Sequence, residues 1–72
     1  MRVLVVGNGG REHAISLALH RSESISAIFA TRPNAGMATI AESLDIAPTD
    51  VAGILAACPN LGIDLVVVGP EA

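Results

Sequence analysis

Apolar residues fall in short blocks separated by glycine, proline and small polar residues, and the spacing within each block predicts an alternation of strands and helices. Residues 2–6 (Arg-Val-Leu-Val-Val) carry four consecutive, mostly β-branched apolar residues that are apolar on both faces, which predicts a central, parallel strand. A helix follows over 10–21, with Ala14, Leu17, Ala18 and the stem of Arg21 at the spacing of one face. Residues 22–24 break it, and 26–30 read as a second strand. Arg32-Pro33-Asn34-Ala35-Gly36 is rich in turn formers and reads as a loop. Residues 37–42 are ambiguous, a short helical turn being one solution. A brief third strand is expected over 44–47, ended by Pro48. Thr49 is the expected N-cap of a second helix over 50–58, whose apolar face would bury Val51, Ile54, Leu55 and Cys58. Pro59 to Gly62 closes it. Residues 64–68 form a fourth strand that runs straight into Gly69-Pro70-Glu71.

Two units in which a helix links parallel strands, with right-handed crossovers, give an α/β, Rossmann-like sheet in the order 3-2-1-4, one helix on each face. The order reverses between the first and fourth strands. Ligands of such sheets bind at that switch point, beyond the carboxyl ends of the strands. Both glycine turns, at residues 7–10 and 69–71, would meet there. The chain has no internal repeat, low-complexity tract or linker, and residues 1–72 read as one domain. It stops soon after the fourth strand, which leads to the expectation that it is an incomplete domain of a longer chain. Self-association through the uncovered sheet face is a further expectation.

The turn Gly7-Asn8-Gly9-Gly10 is the first candidate for chemistry. Three glycines in four residues allow a ligand to approach the backbone, and a helix opening at Gly10 aims its unpaired amides and positive dipole end into the same space. This is an anion cradle, best suited to phosphate. The dinucleotide fingerprint would require a third glycine where Glu12 stands, and an acidic residue about twenty positions later that is missing. Arg32 at the end of the second strand could meet an extra phosphate, which keeps an NADP-binding module as an alternative. The chain has no lysine, so a Walker A loop is excluded.

Composition narrows the classes further. A net charge of −3 and a single aromatic residue, Phe29, argue against nucleic-acid binding. The apolar runs are too short to span a bilayer, and no basic region with a long apolar stretch precedes a cleavage site, so a cytoplasmic location is expected. One cysteine cannot form an internal disulfide, and no metal-ligand cluster is evident.

Arg11 stands where a helix dipole disfavours a cation, which an anionic ligand would explain. Glu12 suits a site or the N3 partner of a capping box equally well. His13 reads as a helix residue with a catalytic role as the lesser option, His20 as a surface residue, and Cys58 as a core thiol. Glu71, directly after a strand at the switch point, could accept bonds from two ribose hydroxyls.

Gly7-Asn8-Gly9-Gly10-Arg11-Glu12-His13, Asn34-Ala35-Gly36 and residues 64–72, Asp-Leu-Val-Val-Val-Gly-Pro-Glu-Ala, together resemble the N-terminal domain of phosphoribosylamine–glycine ligases, members of the ATP-grasp superfamily. The resemblance covers essentially the whole chain. It implies purine biosynthesis: ATP phosphorylates the glycine carboxylate, and the amine of 5-phosphoribosylamine displaces phosphate to form the amide. ATP and magnesium would be bound by domains outside these residues, and no catalytic residue is expected within them. What the resemblance assigns to this stretch is help in holding the ribose phosphate, through Gly7, Asn8, Gly9, Gly10, Arg11, Glu12, Asn34, Gly36, Gly69, Pro70 and Glu71. The family's loop usually reads Pro-Gly-Asn-Ala-Gly, whereas Arg32 and Pro33 precede Asn34 here, so an amide donor at the glycine position is lost. A non-catalytic interaction domain, its glycines purely structural, is the remaining alternative.

Overall fold

A computed structural model describes residues 1–7 and 9–68. The elements are β1 (Arg2–Val6), α1 (Gly10–His20), β2 (Ala27–Thr31), a 3-10 turn (Met37–Thr39), β3 (Glu42–Leu44), α2 (Val51–Leu61) and β4 (Leu65–Val68). All strand pairs are parallel and the sheet order is β3-β2-β1-β4, as the apolar pattern predicts.

β1 is buried on both sides because it lies between two strands and under two layers. Val3 and Val5 pack with Ile28, Ala30, Met37 and Ala41 on one face, where Leu19 of α1 also lies. Leu4 and Val6 pack with Phe29 and Ile54 on the other, beneath α2. The alternation along β1 thus assigns each helix its own face. Leu4 is fully buried, and removing a side chain of this kind from water contributes about 1.5–3 kcal/mol. Arg2 fastens the start of β1 to the opposite end of the chain. Its amide donates to Asp64 Oδ2 at 2.8 Å, its carbonyl accepts from the Asp64 amide at 2.8 Å, and its Nε donates to the Leu61 carbonyl. The guanidinium also lies 5.0 Å from the centre of the Phe29 ring.

Expectations for three elements, α1, β3 and α2, need correction. In α1 the buried residues are Glu12 and Ser16, while Ala14, Leu17, Ala18 and Arg21 are exposed. The true inner stripe is 12, 16 and 19, two positions from the expected one, which is roughly 200° around a helix of 3.6 residues per turn. Small alanines defined the expected face only weakly. The observed face accepts Ser16 because its hydroxyl is satisfied within the helix, donating to the Glu12 carbonyl at 2.8 Å.

The third strand covers Glu42–Leu44 instead of 44–47. β2 supplies partners only as far as Thr31, opposite Leu44; the Arg32 amide closes the ladder on the Leu44 carbonyl at 2.9 Å, and Arg32 then turns away at φ 39°. Residues 45–47 therefore have no strand to pair with.

In α2 the N-cap is Asp50, whose Oδ1 accepts from the Gly53 amide at 3.0 Å, and not Thr49. The helix runs through Pro59 to Leu61. Gly62 then adopts φ 66°, with Ile63 N donating to Cys58 O at 3.0 Å and Gly62 N to Pro59 O at 3.4 Å, a Schellman closure that gives the last carbonyls partners. Ile54 is buried and Cys58 packs at the edge of the core, but Val51 and Leu55 are 65% and 67% exposed. They flank the helix toward β4 and, with Val6, Pro48, Val66 and Val68, line an apolar cleft of about 390 Å³. β4 is the outer strand of the described sheet, where the order 3-2-1-4 places it.

Candidate functional site

The site is built where β1 ends. Gly7 adopts φ 123°, a region that L side chains rarely enter, and its amide donates to Thr31 Oγ1 at 3.1 Å. Thr31 is fully buried at the end of the adjacent β2. The turn out of β1 is therefore tied to the neighbouring strand. Helix α1 starts with Gly9 as an N-cap that has no side chain to occupy the first amides, and the first helical bond runs from His13 N to Gly9 O at 3.0 Å. The amides of Gly10, Arg11 and Glu12 precede that bond, at the positive end of the helix dipole. Gly9, Gly10 and Arg11 are exposed, and a Cβ added at Gly10 would meet nothing within 4 Å.

Glu12 takes a different position from the rest of the turn. It is only 2% exposed, and its carboxylate fills the space left by two glycines: a Cβ on Gly7 would lie 2.7 Å from Oε1, and one on Gly9 would lie 3.1 Å from Oε2. Two glycines expected to admit a ligand thus also admit this carboxylate. With glycine as N-cap there is no side chain to complete a capping box. Oε2 is buried and has no hydrogen-bond partner among the described residues.

The second loop comes to the same place through His13. The imidazole packs directly against Gly36, where a Cβ would collide with ring atom Cε1. Asn34 braces the turn into the 3-10 segment, its Oδ1 accepting from Met37 N at 2.9 Å and its carbonyl from Ala38 N at 3.0 Å. The structure thus brings together Gly7, Gly9, Gly10, Arg11 and Glu12 at the turn, and joins Gly36 to them by way of His13. Arg32 points elsewhere in part: its Nε donates to Asp45 Oδ1 at 3.2 Å in an exposed ion pair. His20 is exposed at the far end of α1. Asn8, Gly69, Pro70 and Glu71 lie outside the described residues.

Sequence reasoning missed Thr31, which was placed one residue beyond its predicted strand, and the seating of His13 on Gly36. Only the position of Thr31 beside a strand end, in register with the turn, could have pointed to it. Among the described residues, no group of three or more His, Cys, Asp or Glu side chains could hold a metal ion. No helix among them is long and apolar enough to cross a membrane.

A turn with open amides after the first strand of a 3-2-1-4 sheet is common to many nucleotide- and phosphate-binding proteins, so the geometry gives a class of ligand and not a family. The comparison with known families decides the latter: residues 1–72 match the family described as phosphoribosylglycinamide synthetase, N domain. The chain belongs to this family. It is 45% identical over 71 residues to a phosphoribosylamine–glycine ligase of Mycobacterium tuberculosis (strain ATCC 25618 / H37Rv), covering 99% of this chain and 17% of that protein. Phosphoribosylamine–glycine ligases of Brucella melitensis and Streptomyces coelicolor are 44% and 43% identical, each over 72 residues, with 100% of this chain and 17% of the relative covered. The chain spans about one sixth of the length of these relatives, 17% in each case.

Proposed function

We propose that this chain is the N-terminal substrate-binding segment of an ATP-dependent ligase that joins glycine to 5-phosphoribosylamine, giving glycinamide ribonucleotide, ADP and phosphate. The observation that carries the reading is the open start of α1: exposed residues Gly9, Gly10 and Arg11, with no side-chain cap on the first helical amides, directly after the central strand. Such an arrangement attracts the phosphate of a sugar phosphate through fixed N–H donors and the helix dipole. The role of these residues is to bind and orient the ribose phosphate, so that its amine meets an activated glycine carboxylate held elsewhere. Positioning of this kind accounts for a large part of such a reaction's acceleration.

ATP and magnesium belong to this reading as cofactors of the longer enzyme. The described residues offer no metal-ligand group, so no step involving either is assigned to them. The alternative of an NADP module rests on Arg32, whose pairing with Asp45 already gives its charge a partner. The reading is tested by titrating ribose 5-phosphate into isotopically labelled protein. Shifts confined to the amides of Gly9, Gly10, Arg11 and Glu12 and to the 69–71 segment are expected. Saturable binding that leaves those amides unmoved would overturn it.

A further inference from the structure

The two outer strands of the described sheet are built differently. β3 is three residues long and carries the exposed Glu42 and Ser43, a short polar strand of the kind that ends a sheet. β4 is apolar on both faces, the composition of a strand with neighbours on both sides. Its register with β1 sets Val66 and Val68 beside Leu4 and Val6, on the face that α2 covers. Val68 is nevertheless 60% exposed, and Val51 and Leu55 of α2 stand open across the apolar cleft of about 390 Å³. A contiguous patch of exposed aliphatic side chains marks a surface that is made to be covered.

We infer that this cleft seats the stretch that follows residue 72 in a full-length form of the chain: a right-handed crossover whose helix lies against Val51, Leu55, Val66 and Val68, and whose strand then pairs with the outer edge of β4. The inference stands apart from the phosphate-binding reading.

Handedness selects the face. The connection from β1 to β2 through α1 and the connection from β3 to β4 through α2 cross the sheet in opposite directions, and the two helices pack on opposite faces. β1 occupies the inner side of β4, so a parallel strand that follows β4 adds outside it. That step runs in the same direction as the one through α2. A right-handed connection therefore places its helix on the face of α2, over the cleft, and the opposite face would require a left-handed crossover.

The chain available for this is long. The matched family is an N domain and the chain spans 17% of the length of its relatives, so most of such a protein lies beyond these residues. Val68 pairs with Val6, so the crossover begins level with the turn after β1, at the end of the sheet where ligands of this architecture bind. Its helix is expected to present aliphatic residues at positions i, i+3 or i+4 and i+7 to the cleft.

The test uses the full-length gene product with the photo-crosslinker p-benzoylphenylalanine in place of Leu55, illuminated, digested and mapped by mass spectrometry. One intramolecular cross-link is expected, to a peptide within about forty residues after residue 72, the span of one strand-helix-strand unit. The same probe in place of Leu17, on α1 and so on the other face, should not capture that peptide. Capture of a peptide from later in the chain, capture of a second copy at doubled mass, absence of any cross-link, or a gene product that ends at residue 72 would each overturn the inference. If the probe at position 55 prevents folding, hydrogen exchange on the unaltered full-length protein decides. A strand paired on both sides should have all its amides over 65–68 exchanging at least about a hundredfold more slowly than an open chain, as in core strands. Alternate amides of β4 exchanging at the rate of an open edge would overturn it.

Discussion

The Gly7 amide donates to the hydroxyl of Thr31 at 3.1 Å, joining the turn that follows β1 to the last residue of β2. Thr31 is fully buried while Gly7 is half-buried, so this bond is sheltered on its acceptor side and ties the glycine turn to the sheet. Thr31→Val keeps the shape and removes the acceptor. It should lower stability by about 1–3 kcal/mol, the cost of leaving a buried donor unpaired. Thr31→Ser should recover most of that loss. Urea unfolding of the two variants checks the difference, and affinity for ribose 5-phosphate should follow the same order.

Gly7 and Gly10 have opposite requirements although they are three residues apart. At Gly7 both φ 123° and the Glu12 carboxylate forbid a side chain. Gly7→Ala should therefore destabilise the fold by about 1–3 kcal/mol, as expected of a residue held in a sparsely populated region. Gly10 begins a helix and has open space where a Cβ would go, so Gly10→Ala should leave stability unchanged or raise it by up to about 1 kcal/mol. If ligands approach this backbone closely, the stable Gly10→Ala protein should bind ribose 5-phosphate more weakly. Thermal unfolding and calorimetry on the pair separate the glycine needed by the fold from the one needed by the ligand.

What could be read in advance follows from how strongly each residue commits its neighbours. Four apolar residues in β1, bounded by glycine, can only be a buried strand, and two crossovers of one hand then determine the sheet order. Glu12 shows the opposite case. As a charged residue on a helix it belongs on the solvated face by every local rule, and only the absence of side chains at Gly7 and Gly9, in three dimensions, gives it an interior place. The same applies to β3: its composition suits 44–47, but a strand exists only where a partner does, and β2 ends opposite Leu44. Local pattern was sufficient for elements that propensity and burial both favour. It failed where one side chain's place depends on another element's end.

His13 and Gly36 should behave as a coupled pair. A Cβ on Gly36 would collide with the imidazole, so Gly36→Ala should cost about 1–3 kcal/mol through overpacking. Shortening the ring in the same molecule, as His13→Ala/Gly36→Ala, should return a good part of it. The coupling measured by a double-mutant cycle should exceed about 0.5 kcal/mol, the threshold for residues in contact. Additive effects would mean that the loop at 32–36 does not rest on the first turn of α1.

The identity of the α2 cap can be separated from its neighbour by two alanines. Asp50 Oδ1 accepts from Gly53 N at 3.0 Å, so Asp50→Ala should lower stability by about 0.5–2 kcal/mol. Thr49 is exposed and lies one residue outside the cap, and Thr49→Ala should stay within about 0.5 kcal/mol of the parent. Equal losses would restore Thr49 as the cap.

Leu55 and Ile54 are adjacent in sequence, about 100° apart around the helix, and differ sharply in burial, which makes them a direct probe of how α2 sits. Ile54 is 9% exposed against Leu4, Val6 and Phe29, and Ile54→Ala should cost about 2–5 kcal/mol because a cavity remains under the helix. Leu55 is 67% exposed on the rim of the apolar cleft beside Val66 and Val68. In the 72-residue chain, Leu55→Ser should change stability by less than about 0.5 kcal/mol, the range of surface substitutions. Were that face covered by another part of a longer protein, the same substitution there should cost about 2 kcal/mol or more, since a leucine removed from water contributes on that scale. Chemical denaturation of Leu55→Ser in the short and the long forms therefore reads directly whether the cleft between α2 and β4 is an outer surface or an internal seam.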